Sequence, residues 1–224
     1  MYQTSPLLQF AENLLQIVAL LFMATVYTLK IRWILRFPQG KDRQAPRGVS
    51  SGPQGAKTSL LAIAMPWTMG STRDHWFLYV QFVIFHIGVA GSIAMSFIIP
   101  YAPGVMRGPG VVLALQVLFL AAAIVGLIRL VRRLGSSYMR SISSPDDYFS
   151  MCLLIVWLVF SALAAPNNPQ VGEGPLLAYF FLTAFFLVYV PFSKISHYLY
   201  YPFARWYLGR TLGHRGVYPL VKGA

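Results

Sequence analysis

Five long apolar runs, separated by short polar segments, dominate this 224-residue chain. Each run approaches the roughly 20 residues that an α-helix needs to cross about 30 Å of hydrocarbon. Only 11% of the residues are charged, less than half of the roughly 25% that is typical of soluble domains. We therefore predict an all-α integral membrane protein with five transmembrane helices in a single membrane domain, residues 1–224. The predicted spans are about 10–35, 76–99, 111–130, 148–165 and 176–201.

The distribution of basic residues predicts the orientation. In a five-span arrangement, 17 of the 18 Lys and Arg residues fall on one side of the membrane, and Arg107 falls on the other. The positive-inside rule makes the basic side cytoplasmic, so the N-terminus is predicted outside and the C-terminus in the cytoplasm. The predicted location is the inner (cytoplasmic) membrane. Because topology accounts for the net charge of +12, we expect membrane lipid and no nucleic acid as a partner.

Two segments on the basic side are predicted to face the cytoplasm. Residues 38–74 are rich in Pro and Gly and are expected to form an irregular loop, with an apolar stretch at 60–69 in the membrane interface. Residues 202–224 are expected to form a tail. Both segments are predicted to dock cytoplasmic subunits. The basic residues predicted to take part include Arg43, Arg47, Arg210 and Arg215.

Two histidines are candidate cofactor ligands. His86 lies in the second predicted span and His197 in the fifth. A histidine in hydrocarbon costs free energy, which marks a candidate functional site. At 1.5 Å per residue, both fall in the cytoplasmic half of the membrane, and two imidazoles at similar depth suit the axial positions of a b-type haem. Ordinary interhelical hydrogen bonds are the alternative. Zinc is a poorer candidate because no carboxylate or thiol lies near either histidine in sequence.

Three strings of residues resemble a known family. Residues 85–88 (FHIG) and 191–197 (PFSKISH) resemble the haem-bearing segments of the membrane cytochrome b (gamma) subunit of respiratory nitrate reductase. Residues 140–148 (RSISSPDDY) resemble the loop before that family's fourth helix. In type, the chain is closest to the small cytochrome-b-like subunits of sulfate-reducer transmembrane redox complexes. Those subunits pair with an iron–sulfur protein related to heterodisulfide reductase.

The resemblance implies a function in electron transport. It implies one haem b, with His86 and His197 as the ligands of the iron. Nitrate-reductase subunits carry a second histidine pair nearer the outer face, but the corresponding positions here are Ser96 and Tyr179. The chain would be an electron-transfer subunit of an oxidoreductase complex, and not a catalyst by itself. It would link a quinone, with menaquinone as the candidate, or an extracytoplasmic donor to a cytoplasmic iron–sulfur partner.

Several further assignments stay open at the level of sequence. A multihaem cytochrome c is a further candidate partner. His75 and His214 are interpreted as surface or subunit-interface residues. The alternative function is a non-redox membrane anchor that docks cytoplasmic partners. Three basic residues are candidates for contacts with haem propionates and equally for lipid headgroup anchors: Arg73, Lys194 and Arg205.

Overall fold

The structure is a computed structural model that describes residues 4–37, 45, 51–65, 67, 70–169 and 172–215. The described residues form helices and turns and no strand. Two residues named above lie outside the described part: Arg43 and Arg47. In chain order the helices are α1 (Pro6–Arg36), α2 (Gly52–Ala64), α3 (Gly70–Asp74), α4 (Trp76–Tyr101), α5 (Pro109–Gly135), α6 (Ser137–Ser141), α7 (Pro145–Ala164), α8 (Gly174–Tyr189) and α9 (His197–His214).

Five of the described helical segments are long and apolar enough to cross a membrane. They are α1, α4, α5, α7 and the segment Gly174–Phe192, which consists of α8 and a following 3₁₀ turn. The prediction of an all-α protein with five such helices is confirmed. Which ends of the helices face the cytoplasm stays a prediction from the basic residues.

The start of α7 shows how local sequence sets a helix boundary. Ser144 and Asp147 form a capping box, in which the Ser144 backbone N–H donates to Asp147 Oδ2 at 2.7 Å. Pro145 occupies the first turn, where a backbone N–H would have no intrahelical partner, so the missing N–H of proline costs no hydrogen bond. Asp146 and Asp147 also complement the positive end of the helix dipole. These residues therefore begin the fourth span, as the sequence indicates.

The fifth span ends earlier than the sequence predicts. The sequence favours one helix over 176–201, but α8 ends at Tyr189 and two 3₁₀ turns, Val190–Phe192 and Lys194–Ser196, precede α9. Pro191 has no N–H to donate and its ring clashes with the preceding turn, so an α-helix is broken there. The Lys30 ammonium donates to the Pro191 carbonyl, which supplies that oxygen with a partner.

The chain divides into two compact units. Unit 1 consists of the described residues of Met1–Lys30 and Val80–Lys194, and unit 2 of those of Ile31–Tyr79 and Ile195–Ala224. In unit 1, α4 and α5 approach so closely at Gly88 that a Cβ there would lie 2.3 Å from Ala122 Cβ. The core of unit 1 includes the fully buried side chains of Phe119, Leu158, Tyr179 and Phe180.

Unit 2 contains a helix pair where irregular chain is predicted. The segment 38–74 contains α2 and α3, and α9 lies in the segment predicted as the end of the fifth span and the tail. The Ser51 side chain accepts from the Gln54 backbone N–H at 3.3 Å, and Pro53 lies in the first turn, so α2 has normal start signals. It packs against α9 through glycines that, read by local propensity alone, indicate a loop.

Candidate functional site

His86 lies on a largely exposed face of α4. The buried face of this helix includes Gln81, Phe85, Gly88, Ser92 and Met95, at helical spacing. His86 is half-buried on the neighbouring face. That face includes three large exposed apolar side chains: Phe82, Ile93 and Phe97. The imidazole is therefore surrounded along the helix by an apolar surface, which we call the α4 stripe (Phe82, His86, Ile93 and Phe97).

One hydrogen bond determines the tautomer of His86. Its Nδ1 lies 2.8 Å from the Phe82 carbonyl oxygen, one helical turn earlier. Because a carbonyl oxygen only accepts, Nδ1 carries the proton and Nε2 carries the lone pair of the neutral ring. The ring also packs on the Phe82 ring, with centroids 3.9 Å apart. Metal-ligating histidines typically have this arrangement, in which one nitrogen donates to protein and the other holds the lone pair.

His197 lies where two 3₁₀ turns are followed by a helix. It is the first residue of α9, its side chain is exposed, and the two 3₁₀ turns come immediately before it. In unit 1, the Asp146 carboxylate holds the end of the preceding segment. It accepts from the Lys194 backbone N–H at 2.8 Å and from the Tyr189 hydroxyl. His86 belongs to unit 1 and His197 to unit 2, so their pairing stays a prediction.

Ser96 and Tyr179 lie in a packed region of unit 1. The Tyr179 hydroxyl donates to the Ser92 carbonyl at 2.6 Å, and the Tyr179 side chain is fully buried. Ser96 Oγ donates to the Ile93 carbonyl at 2.7 Å. The Trp157 ring stacks nearly parallel to the Tyr179 ring, with an interplanar angle of 8°. Hydrogen bonds to the backbone therefore hold Tyr179 and Ser96, and Tyr179 also stacks on Trp157.

The extent of this polar network is not evident from the sequence. Trp157 Nε1 donates to Thr183 Oγ1 at 2.9 Å, and Thr183 Oγ1 donates to the Tyr179 carbonyl at 2.7 Å. The hydroxyls of Ser92 and Ser161 lie 2.6 Å apart across α4 and α7. Polar side chains at buried helical positions were the available signal, but sequence spacing does not reveal which of them meet.

Two of the three basic candidates bind within their own units. Lys194 Nζ lies 2.5 Å from Asp147 Oδ2, and Arg133 Nη1 lies 3.8 Å from the other oxygen of that carboxylate. Arg205 donates from Nε and Nη2 to the Ser59 carbonyl at 3.2 and 3.1 Å. Arg73 is exposed on the short helix α3. Lys194 and Arg205 therefore have structural roles whether or not they also contact a cofactor.

The remaining histidines have different settings. His75 is exposed in the turn between α3 and α4, where its carbonyl accepts from the Tyr79 N–H at 3.1 Å. His214 is the last residue of α9. Within the described part of the chain, no three His, Cys, Asp or Glu side chains gather to hold a metal ion.

The fold and the intramembrane histidine define a multi-pass α-helical membrane protein. A curated protein of Nitratidesulfovibrio vulgaris (strain Hildenborough), described only as "Protein", is 31% identical to the chain. The aligned region covers 70% of this chain and 71% of that protein. The chain belongs to the same family as this N. vulgaris protein. No protein-family model matches the chain. No solved structure matches it either.

Proposed function

We propose that the chain is the haem b electron-transfer subunit of a membrane-bound respiratory redox complex. The observation that carries the proposal is the setting of His86. Its Nδ1–H donates to the Phe82 carbonyl, which leaves the lone pair on Nε2, the atom that binds haem iron in most histidine-ligated haems. This histidine lies in a span and within the string that resembles a haem-bearing segment.

The residues present fit a haem. An imidazole nitrogen is a suitable axial ligand for iron, and a porphyrin needs apolar side chains against its faces. The α4 stripe supplies such side chains around His86. His197 is proposed as the second ligand because it ends the PFSKISH string. The Asp146 carboxylate, which binds the Lys194 N–H three residues earlier, would steady the chain that leads to it.

The packing of unit 1 supports a single haem. Where nitrate-reductase subunits carry a second histidine pair, Ser96 and Tyr179 each donate to a backbone carbonyl of α4. The Trp157 ring stacks on the Tyr179 ring, and the Tyr179 side chain is fully buried. A second macrocycle there would displace side chains that already have hydrogen-bond and stacking partners.

When bound, the haem supplies one-electron transfer. His86 and His197 would hold the haem through their imidazoles, and with two protein ligands the iron should not bind small gases readily. The protein would hold His86 in one tautomer and exclude water with apolar side chains. The proposed donor is a quinol, with menaquinone as the candidate, or an extracytoplasmic cytochrome, and the proposed acceptor is a cytoplasmic iron–sulfur subunit. The proposed site of docking is the loop that contains Arg43 and Arg47, on the basic side of the inner membrane.

A non-redox anchor is the alternative function. The same hydrogen bond and ring contact with Phe82 would also hold a purely structural histidine. The two functions differ in whether the purified chain carries haem.

The experiment is a reduced-minus-oxidised visible spectrum of the purified chain, with haem quantified per polypeptide. We expect one haem b per chain, lost in His86→Ala and in His197→Ala. His75→Ala and His214→Ala are the matched controls and should keep the spectrum. A ratio near two, or a full spectrum in His86→Ala, would show that the ligands are misassigned. Complete absence of haem from the wild-type chain would favour the anchor.

A further inference from the structure

The helices α2 and α9 of unit 2 pack with small residues inside and large residues outside. The contact consists of Gly55, Ala56, Ser59 and Ala62 from α2 with Gly209 and Gly213 from α9, all of them buried. The large apolar side chains point away from this contact. They are Leu60, Leu61, Trp206, Tyr207 and Leu208, and each of these residues has 36–48% of its surface exposed.

The two backbones are in direct contact. A Cβ on Gly55 would lie 2.1 Å from the Gly209 carbonyl oxygen, and a Cβ on Gly209 would lie 2.4 Å from Ser59 Cβ. Arg205 joins the helices by donating from two nitrogens to the Ser59 carbonyl. The contact is therefore specific and depends on glycine at both crossing positions.

This pattern is the reverse of what stabilises a helix pair in water. Burial of a large apolar side chain contributes about 1.5–3 kcal/mol, whereas glycine, alanine and serine bury little apolar surface. Isolated helices of about 13 residues are themselves marginal in water. In lipid, by contrast, helices associate through small residues that let the backbones meet, and large apolar side chains face outward. The exposed side chains of α2 and α9 therefore match the pattern of helices that associate in lipid.

The same helices do not cross the membrane. Helix α2 has 13 residues, fewer than the roughly 17–25 that a span needs, and α9 is not among the described helices that are apolar enough. They contain Lys57, Arg205 and Arg210 and, over their whole lengths, no Asp or Glu. The Arg210 guanidinium lies 5.4 Å from the Trp206 ring centroid. Tryptophan, tyrosine and arginine are typical of the headgroup region.

From these observations we propose that α2 and α9 form a membrane-interface module that binds anionic phospholipid headgroups. Leu61 and Tyr207 lie in the boundary between headgroups and acyl chains, and Lys57 and Arg210 attract the lipid phosphates. The charge of the two helices is wholly positive, which makes anionic lipid the complementary partner. The module does not depend on the presence of haem, so it extends beyond the proposed electron-transfer function.

The test uses the full-length chain with Cys152→Ser, so that one introduced cysteine carries an environment-sensitive fluorophore. Leu61→Cys and Tyr207→Cys report on the two helices independently, and both replace exposed side chains, so folding should be retained. Vesicles of phosphatidylcholine are compared with vesicles that also contain phosphatidylglycerol. We expect both labels to be protected from the neutral water-soluble quencher acrylamide, whose access does not depend on surface charge, and more strongly in the anionic vesicles.

Neutralisation of the two basic residues tests the charge. In Lys57→Gln with Arg210→Gln, the ratio of protected to unprotected label in anionic vesicles should fall about five-fold for each charge removed. Arg107→Gln is the matched control and should leave both labels unchanged. A label at Leu120→Cys, on the exposed face of α5, should be protected in every vesicle.

Three outcomes would overturn the proposal. The first is full quenching of both labels by acrylamide in all vesicles, which would place the pair in water. The second is protection that is equal in neutral and anionic vesicles and is unchanged in the double variant. That result would show that anionic headgroups are not the partner. The third is protection that appears only when another protein copurifies with the chain, which would assign this face to a protein partner.

Discussion

The substitution Gly88→Ala tests the closest approach of two membrane helices in unit 1. The new methyl carbon would lie 2.3 Å from Ala122 Cβ, whereas ordinary contact begins at 3.4 Å, so α4 and α5 must separate by about 1 Å. Neither methyl group can rotate away. Overpacking of this kind costs about 1–3 kcal/mol. Alanine stabilises a helix by up to about 1 kcal/mol relative to glycine, so the free energy of unfolding should fall by about 0–2 kcal/mol in Gly88→Ala.

Gly110→Ala is the matched control. Gly110 also lies in a membrane helix, α5, but nothing lies within 4 Å of the position that its Cβ would take. Thermal unfolding in detergent, followed by circular dichroism, should give a midpoint a few degrees lower for Gly88→Ala than for Gly110→Ala. Equal midpoints, or a higher midpoint for Gly88→Ala, would refute the close packing of α4 on α5.

Three further measurements test other parts of the structure. The Ser5 hydroxyl and backbone N–H donate to Glu173 and lower its pKa below the ordinary 4.5, so the bond stabilises the fold above pH 4.5. The melting temperature of Glu173→Gln, measured against pH, should lie below that of the wild-type chain by a constant amount above that pH. The difference should shrink as the pH falls through the lowered pKa. Asp147→Asn keeps the cap but removes the charge that faces Lys194 and Arg133. Because Lys194 is 55% exposed, the free energy of unfolding should fall by at most about 1 kcal/mol, and the difference should diminish at high salt. A reporter protein fused to the C-terminus should be active only in its cytoplasmic form, and activity of an exported reporter would contradict the predicted orientation.

The spans and the first helix turn of α7 could be predicted because they depend on local properties. An apolar run of sufficient length identifies a span whatever lies beside it. Likewise, the string from Ser144 to Asp147 contains both partners of its capping box. The same reasoning was less successful at Pro191, where the sequence favours a continued helix. A proline in a membrane helix is compatible with either a kink or a break, and here two 3₁₀ turns follow α8.

The candidate site was predictable only in part. The sequence identifies His86 as an intramembrane histidine, but its tautomer follows from the position of one carbonyl oxygen in the folded helix. Ser96 and Tyr179 could be singled out from the sequence only through the resemblance. That Tyr179 donates to the Ser92 carbonyl and stacks on Trp157 depends on the packing of α8 against α4 and α7.

The sequence by itself determined the all-α class, the five apolar spans and the concentration of positive charge in particular segments. These properties depend on residues that are neighbours in the sequence, so they can be predicted without knowledge of distant contacts. Only the tertiary structure decided the role of the glycines in α2 and α9. Local propensity assigns Gly55 to a loop, yet it lies in a helix whose backbone packs directly on Gly209 and Gly213, about 150 residues later. Complementarity between segments so far apart is a property of the packed chain and not of either segment alone.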